Sequence, residues 1–348
     1  METQKSDLLI FKYAELSRKN IEKQTRTPII AVRNFTKKFK NFVATDNVSF
    51  DIYPGTIHGF IGPNGSGKTT TIKSIIGAYI SGPNQIKIKG FKPGSPKANR
   101  LIGYIPEKAS FPSHLNAEEY LATMATFNGM KMREAIKKAN EILIELKLEK
   151  HKRRNPNTFS SGMKKKILLA QSLMSSPEIL ILDEPAANLD PTARKELFDT
   201  FFELKKRGIT IFISSHVLSE LERIVDEITF IFNGKVLFSG SSSKMGDGQN
   251  DLYFKTNQNK YFKDEIRNTL NLEVSGDISS ELVVRSVSEE NKNKIIDMIR
   301  DKNVILYSLR HNDLQSFYDN LIRQYYEQNN QNNQKEDKNP SKSEQGGK

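Results

Sequence analysis

The apolar run Thr56–Ile61 passes directly into Gly62-Pro63-Asn64-Gly65-Ser66-Gly67-Lys68-Thr69, and a helical pattern follows from Thr70 to about Tyr79. A strand that feeds a glycine-rich turn and then a helix dictates an α/β layer, with the turn at the carboxyl end of its strand. The glycines let the backbone curl so that successive N–H groups point inward. The helix behind them adds the positive end of its dipole, so the loop is an anion site. The spacing fits G-x-x-x-x-G-K-[ST]. In that pattern Lys68 holds the β- and γ-phosphates and the Thr69 hydroxyl ligates Mg²⁺, while Pro63, Asn64, Gly65, Ser66, Gly67 and Thr70 complete the cradle.

A second half of the site follows further along the chain. Ile179–Leu182 is a short, wholly apolar strand that ends in Asp183-Glu184. A strand buried on both faces delivers its terminal carboxylates beside the phosphate loop. Asp183 is placed to hold Mg²⁺ through its water shell, and Glu184 to polarise an attacking water as general base. Just upstream lies Phe159-Ser160-Ser161-Gly162-Met163, opening a helix over Lys164–Leu169. Ser160 and that helix N-terminus form another anion-binding end.

Residues 1–27 are polar and mixed in charge, and read as an N-terminal extension. Residues 28–240 read as the domain that carries the phosphate loop. Strands are expected at Ile29–Val32, Val48–Tyr53, Ile86–Lys89, Ile209–Ser214 and Ile228–Phe232, with an Asn233-Gly234 hairpin turn. Asn116, with Glu118 and Glu119 behind it, caps a helical region reaching about Leu148. The Ser/Gly-rich stretch Ser241–Asn250 marks a boundary. Beyond it, residues 241–326 read as a small α+β accessory domain, with strands at Asp251–Thr256, Glu281–Val287 and Val304–Leu309. Its last helix carries Leu314, Phe317, Leu321, Ile322 and Tyr325. The Asn/Gln/Lys-rich tail, 327–348, reads as disordered.

With 348 residues, the chain has length for about two domains, and 36% hydrophobic content supports a core. No apolar run approaches the ~18 residues of a membrane span, and Leu8–Phe11 is too short for a signal peptide. A soluble or at most peripheral protein is expected. There are no cysteines, which excludes disulfides, zinc-thiolate sites and iron–sulfur clusters and fits the cytosol. The net charge of +12 admits two readings. A basic surface favours nucleic acid or an anionic membrane leaflet, whereas charge spread along the chain reflects codon composition that favours Lys. The basic runs Lys150–Arg154 and Lys164–Lys166, opposed locally only by Glu149, read as a contact for a membrane subunit or lipid, or as a solvated helix face.

Taken in order, these motifs resemble the ATP-binding subunits of ABC transporters over roughly residues 29–240. Phe159–Met163 lies where that family has its Leu-Ser-Gly-Gly-Gln signature, and Ser161 and Met163 depart from it. The resemblance implies an α/β P-loop ATPase core with a mixed sheet, an antiparallel β subdomain and a helical signature subdomain, next to the small C-terminal α+β domain. It implies ATP and Mg²⁺ as ligands, and a head-to-tail dimer in which Ser160 and Gly162 close over the partner's ATP. Phe39 matches the aromatic that stacks on adenine, and Asp190 closes the loop that couples the paired sites. His216, after Ser214-Ser215, matches a switch histidine that contacts the γ-phosphate.

Glu107, in Ile102-Gly-Tyr-Ile-Pro-Glu107, stands where the family usually has Gln. It keeps a metal-ligating oxygen but adds charge and loses a donor. That context, the Ser-Gly-Met-Lys signature and the C-terminal module resemble the branch exporting drugs, bacteriocins and polysaccharides. Separate membrane-spanning subunits, a peripheral place on the cytoplasmic face of the membrane, and no nucleic-acid partner are expected. The competing class is a soluble ABC ATPase acting on nucleic acid or ribosomes. Its members carry two nucleotide domains in one chain or a long coiled coil between halves, and neither feature is present.

Overall fold

The computed structural model describes residues 27–242, 251–276, 279, 281–285, 287–302, 304–311, 317–319 and 321–327. The expectations for the N-terminal extension before residue 27, for the boundary segment after Ser242, for Leu314 and for the tail after residue 327 lie outside them.

Three sheets organise the described residues. The central one has six strands in the order β5-β6-β7-β3-β8-β9. These are β5 (Ile102–Ile105), β6 (Ile179–Leu182), β7 (Thr210–Ser215), β3 (Ile57–Ile61), β8 (Glu227–Phe232) and β9 (Lys235–Ser241). The first five run parallel, and β9 returns antiparallel to β8. β3, β6 and β7 are buried along their whole length, which is why none of them shows the apolar/polar alternation of a half-exposed strand. Asn233 and Gly234 both adopt positive φ, as the tight β8–β9 turn requires.

A three-stranded antiparallel sheet, β2-β1-β4, packs on this one. β1 (Ile30–Phe39) and β2 (Phe42–Ile52) are longer than the sequence pattern indicates, and β4 is Ile86–Ile88. The layers meet through aromatic rings. Phe50 of β2 lies 5.2 Å from Phe60 of β3 and 5.8 Å from Phe212 of β7. Each such ring removes a large apolar area from water and, being planar, fixes the spacing of the layers. The phosphate loop therefore leaves β3 from a clamped strand.

The helical region divides in two. Helices α3 (Ala117–Phe127) and α4 (Met132–Glu145) are separated at Gly129, whose φ of 88° ends the first helix. The Asn116–Glu119 capping box is complete, with each side chain bonded to the other's backbone N–H. The third helix here, α5, is Ser161–Leu173, and its buried Ile167, Leu168 and Leu169 share a core with Tyr120 and Leu143. Helix α1 (Lys68–Ile75) follows the phosphate loop, the short helix α2 is Pro96–Asn99, and α6 (Pro191–Lys206) precedes β7.

The remaining sheet, β11-β12-β10-β13, comprises β11 (Val274–Ser275), β12 (Leu282–Val284), β10 (Leu252–Thr256) and β13 (Leu306–His311). It has a separate core, in which Phe254, Leu282 and Val284 meet Phe262 of helix Asn259–Leu270 and Ile295 of helix Glu289–Asp301. The helical residues 317–319 and 321–327 belong elsewhere. Phe317 packs against Phe230 and edge to face with Phe238, and Tyr318 against Phe230, so this segment packs on the β8–β9 hairpin rather than on the accessory core.

Replacing Asn116 with Ala removes the acceptor of the capping box. The expected loss is about 1 kcal/mol of stability, read as a lower urea midpoint with unchanged slope for the full chain.

Candidate active site

The Gly62–Thr69 loop sits against the β8–β9 turn. A Cβ at Gly62 would stand 2.1 Å from the Ile231 carbonyl oxygen, so only glycine fits there. Gly67 combines a φ of 105° with a similar collision, its Cβ falling 2.6 Å from the Ala44 carbonyl. The Gly234 N–H donates to the Ser66 carbonyl at 3.0 Å and holds the loop from behind. Pro63, Asn64 and Gly65 are exposed, Ser66, Gly67 and Lys68 are buried, and the side chains of Thr69 and Thr70 stand at the mouth. Lys68 Nζ donates to the Gly62 carbonyl at 2.7 Å and the Pro63 carbonyl at 3.1 Å.

The carboxylates arrive from β6. Asp183 is 2% exposed. Its Oδ1 accepts from Ser214 Oγ at 2.9 Å and from Thr69 Oγ1 at 3.3 Å, which joins the end of β6 to the start of α1. Burial raises its carboxyl pKa, with smaller contributions from Glu184 and Glu107, and the two hydroxyl donors only partly offset this. Glu184 follows with a φ of 48°, a left-handed conformation strained for this residue. Its N–H donates to Ser214 Oγ at 3.0 Å. The turn aims its carboxylate back over the loop, with Oε1 3.2 Å from Lys68 Nζ and Oε2 2.8 Å from His216 Nδ1. Glu184 Oε1 is buried and lacks hydrogen-bond geometry to any partner, so the ion pair with Lys68 is its one compensation.

Thus Lys68, Thr69, Asp183, Glu184 and His216, drawn from widely separated stretches of sequence, meet at the ends of β3, β6 and β7. The oxygen-only pair Thr69 and Asp183 suits a hard divalent cation. Among the described residues no cluster of three or more carboxylate, imidazole or thiol ligands could hold a metal alone. The oxygen pair of Thr69 and Asp183 suits Mg²⁺, which takes few protein ligands and completes its shell with phosphate oxygens and water.

Glu107 lies just past the end of β5, exposed and within electrostatic reach of Asp183. Tyr104, near both carboxylates, has its phenol pushed up to about 12, first by burial and then by Asp183 and Glu107. Phe39 is at the tip of β1, 39% exposed, with its ring 5.3 Å from Tyr79 edge to face.

Ser160 and Asp190 are both exposed helix caps. Ser160 Oγ accepts from the Met163 N–H at 3.3 Å, and the Asp190 carboxylate from the Ala193 N–H at 2.9 Å. Gly162 has a packing reason of its own, since a Cβ there would meet Ala193 Cβ at 2.9 Å.

Several contributors escape the sequence reading. The Ser214 hydroxyl serves Asp183 and Glu184 together, and the only hint of it is its place before Ser215-His216. Arg194 of α6 pairs with half-buried Glu220 at 2.9 Å and donates to the Leu189 carbonyl at 3.3 Å. This ties the Asn188–Asp190 loop to the segment after His216. The basic runs are also better opposed than their local sequence indicates. Glu118 lies 3.7 Å from Lys152 and 3.0 Å from Arg153, and Glu196 lies 2.8 Å from Lys166. Lys165 is buried, with Nζ 3.2 Å from the Pro106 carbonyl and 2.5 Å from that of Glu107. Burial lowers its pKa, and Glu107, Asp183 and Glu184 act in the opposite direction.

A strand-borne phosphate loop, with two acidic residues and a histidine on neighbouring parallel strands, defines a nucleotide-hydrolysing cassette. The sequence matches the ABC transporter family over residues 45–187. It is 37% identical to a protein of Mycoplasma pneumoniae named as an ABC transporter ATP-binding protein, over 86% of this chain and 94% of that one. It is 39% identical to the bacitracin transport ATP-binding protein BcrA of Bacillus licheniformis, over 60% of this chain and 68% of that one. Among solved structures, an ATP-binding subunit of an ABC transporter superposes with a TM-score of 0.56 at 27% identity. That match covers 77% of this chain and 99% of the other. The chain belongs to the ATP-binding proteins of ABC transporters and is an ATPase.

The raised pKa of Asp183 has a consequence for stability. A carboxyl that holds its proton more tightly folded than unfolded contributes stability that is complete below its unfolded pKa. That contribution is lost as pH rises through the folded value. At neutral pH the charged form therefore detracts from the fold, and an uncharged isostere relieves this. Without nucleotide or divalent cation, Asp183→Asn should resist urea at least as well as wild type at about pH 7.5, the difference closing toward about pH 4. Urea titrations at both pH values measure it, and a less stable variant at neutral pH would contradict it.

Proposed function

We propose that the chain is the motor subunit of an exporter, hydrolysing ATP to drive membrane-spanning subunits encoded separately. The observation that carries this reading is the Glu184 carboxylate, held between Lys68 Nζ and His216 Nδ1 above the phosphate loop. A base there faces the γ-phosphate of a nucleotide whose β-phosphate lies in the cradle.

In this reading the N–H groups of Gly62–Thr70 and the Lys68 ammonium bind the triphosphate, the ammonium exchanging Glu184 and the two loop carbonyls for phosphate oxygens. Phe39 supports the adenine. Thr69 and Asp183, with Glu107, would hold Mg²⁺, which when bound would offset the charge that develops on the phosphates. Glu184 accepts the proton of the attacking water as its oxygen bonds to the γ-phosphorus and the bond to ADP breaks. His216 orients Glu184 and contacts the γ-phosphate. The residual barrier is lowered by charges already in place before ATP arrives.

Ser160 and Gly162 complete the site of a second chain, head to tail. Support for this comes from the exposed Ser160 cap at the N-terminus of α5, an end that is available to an anion from outside. Asp190, on the α6 cap, sits at the same interface. Among the described residues no helix is long and apolar enough to cross a membrane. In this reading the membrane path belongs to other subunits, and this one docks at the cytoplasmic face. Export is favoured by the Tyr-Ile-Pro-Glu107 and Ser-Gly-Met-Lys sequences, together with the likeness to a bacitracin transport protein.

Glu184→Gln keeps the shape of the side chain but not its basicity. It should bind ATP with near-normal affinity and hydrolyse it about 10²-fold more slowly. It should also shift toward dimer in size-exclusion chromatography when ATP and Mg²⁺ are present. Turnover at the wild-type rate would remove Glu184 as the base.

A further inference from the structure

Lys165 stands in a run, Lys164-Lys165-Lys166, that reads as a solvated helix face, yet it is 6% exposed. A lysine is seldom buried to this degree unless its charge is met. Its Nζ does not reach a carboxylate. It donates instead to two successive backbone carbonyls, those of Pro106 and Glu107, where the chain leaves β5. Burial works against its charge, and the acidic side chains of Glu107, Asp183 and Glu184 act in the opposite direction. The helix that carries it, α5, begins at the exposed Ser160 cap, about 7.5 Å away along the axis.

We propose that Lys165 is a positioning residue for ATP hydrolysis. By pinning the Pro106 and Glu107 carbonyls to α5, it fixes where the Glu107 carboxylate stands and gives that loop the same rigid support as Ser160. A buried ammonium that bonds to main-chain oxygens controls backbone position rather than side-chain pairing, so its effect passes through Glu107. The same bonds oblige any shift of the Ser160 end to be felt at Glu107. The proposal rests on the reading that Glu107 faces the Mg²⁺ side of the nucleotide.

The test is steady-state ATPase activity of the full chain, with kcat and KM resolved. Lys165→Met keeps the apolar stem and removes the donor. It should lower kcat about 10-fold while changing KM for ATP less than about 2-fold. Lys165→Gln keeps an N–H donor and should retain at least about half of the wild-type kcat. In a Glu107→Ala background, Lys165→Met should cost less than about 2-fold more, because the group it positions is gone.

An undiminished kcat in Lys165→Met, or an equal 10-fold loss in the Glu107→Ala background, would overturn the proposal. Should Lys165→Met fail to fold, Lys165→Gln decides. A kcat as low as about a tenth of wild type in that variant, with unchanged thermal melting, would overturn it equally. Wild-type kcat in Glu107→Ala alone would remove the premise while leaving the ATPase itself in place.

Discussion

The Ser214 hydroxyl is the point on which the site depends. It donates to Asp183 and accepts the N–H of Glu184, so one oxygen sets the direction of both carboxylates. It can do so because β7 lies between β6 and β3. Leu182 pairs with Ile213 on one side, and Phe60 and Ile61 pair with Ser214 and Ser215 on the other. A slip of one residue in either pairing would turn Ser214 to the opposite face and leave a buried carboxylate without its best donor. The close packing of Phe50, Phe60 and Phe212 resists that slip. The catalytic geometry is thus an outcome of the register of three buried strands.

Two further links carry the site outward. Through Lys165, helix α5 joins the exposed Ser160 cap to the Glu107 loop. Through Arg194 and Glu220, the Asp190 loop joins the segment after His216. Both links run from surface caps to groups beside the phosphate loop. A partner bound at those caps, as proposed, would press on the chemistry through side chains that are already paired. The docking of Phe317 and Tyr318 on β8 and β9 brings the last of the described helical residues to the hairpin whose Gly234 supports Ser66.

How much of this was legible depended on whether the determinant was local. The phosphate loop, the Asn116 cap, the Asn233-Gly234 turn and the apolar β6 strand each declare themselves within a few residues. The length of β1 and β2 did not. Their connection turns at Lys40 with a φ of 50° and no glycine, and bulges break the alternation by which strands are recognised. Gly129 lay inside a continuing helical pattern, so the division between α3 and α4 was hidden. Ser214 and Arg194 look ordinary because their roles come from strands and helices brought beside them only by the fold. Lys165 was read with its neighbours as surface charge, since burial of one lysine among three follows from helix packing and not from composition. The terminal aromatic residues showed helical spacing, but spacing does not say which of two cores a helix will join.

The central claim is that each complete site is built from two chains, with Lys68 and Glu184 from one and Ser160 from the other. Mixing two inactive variants tests it directly. Lys68→Ala disables a chain's own nucleotide site, and Ser160→Arg blocks the site of its partner. In a head-to-tail dimer of one of each, one site inherits both faults and the other inherits none. The account predicts that the mixture recovers ATPase activity that neither variant shows alone. If the mixture stays as inactive as its components, while Lys68→Ala and Ser160→Arg chains still associate, the two-chain site is contradicted.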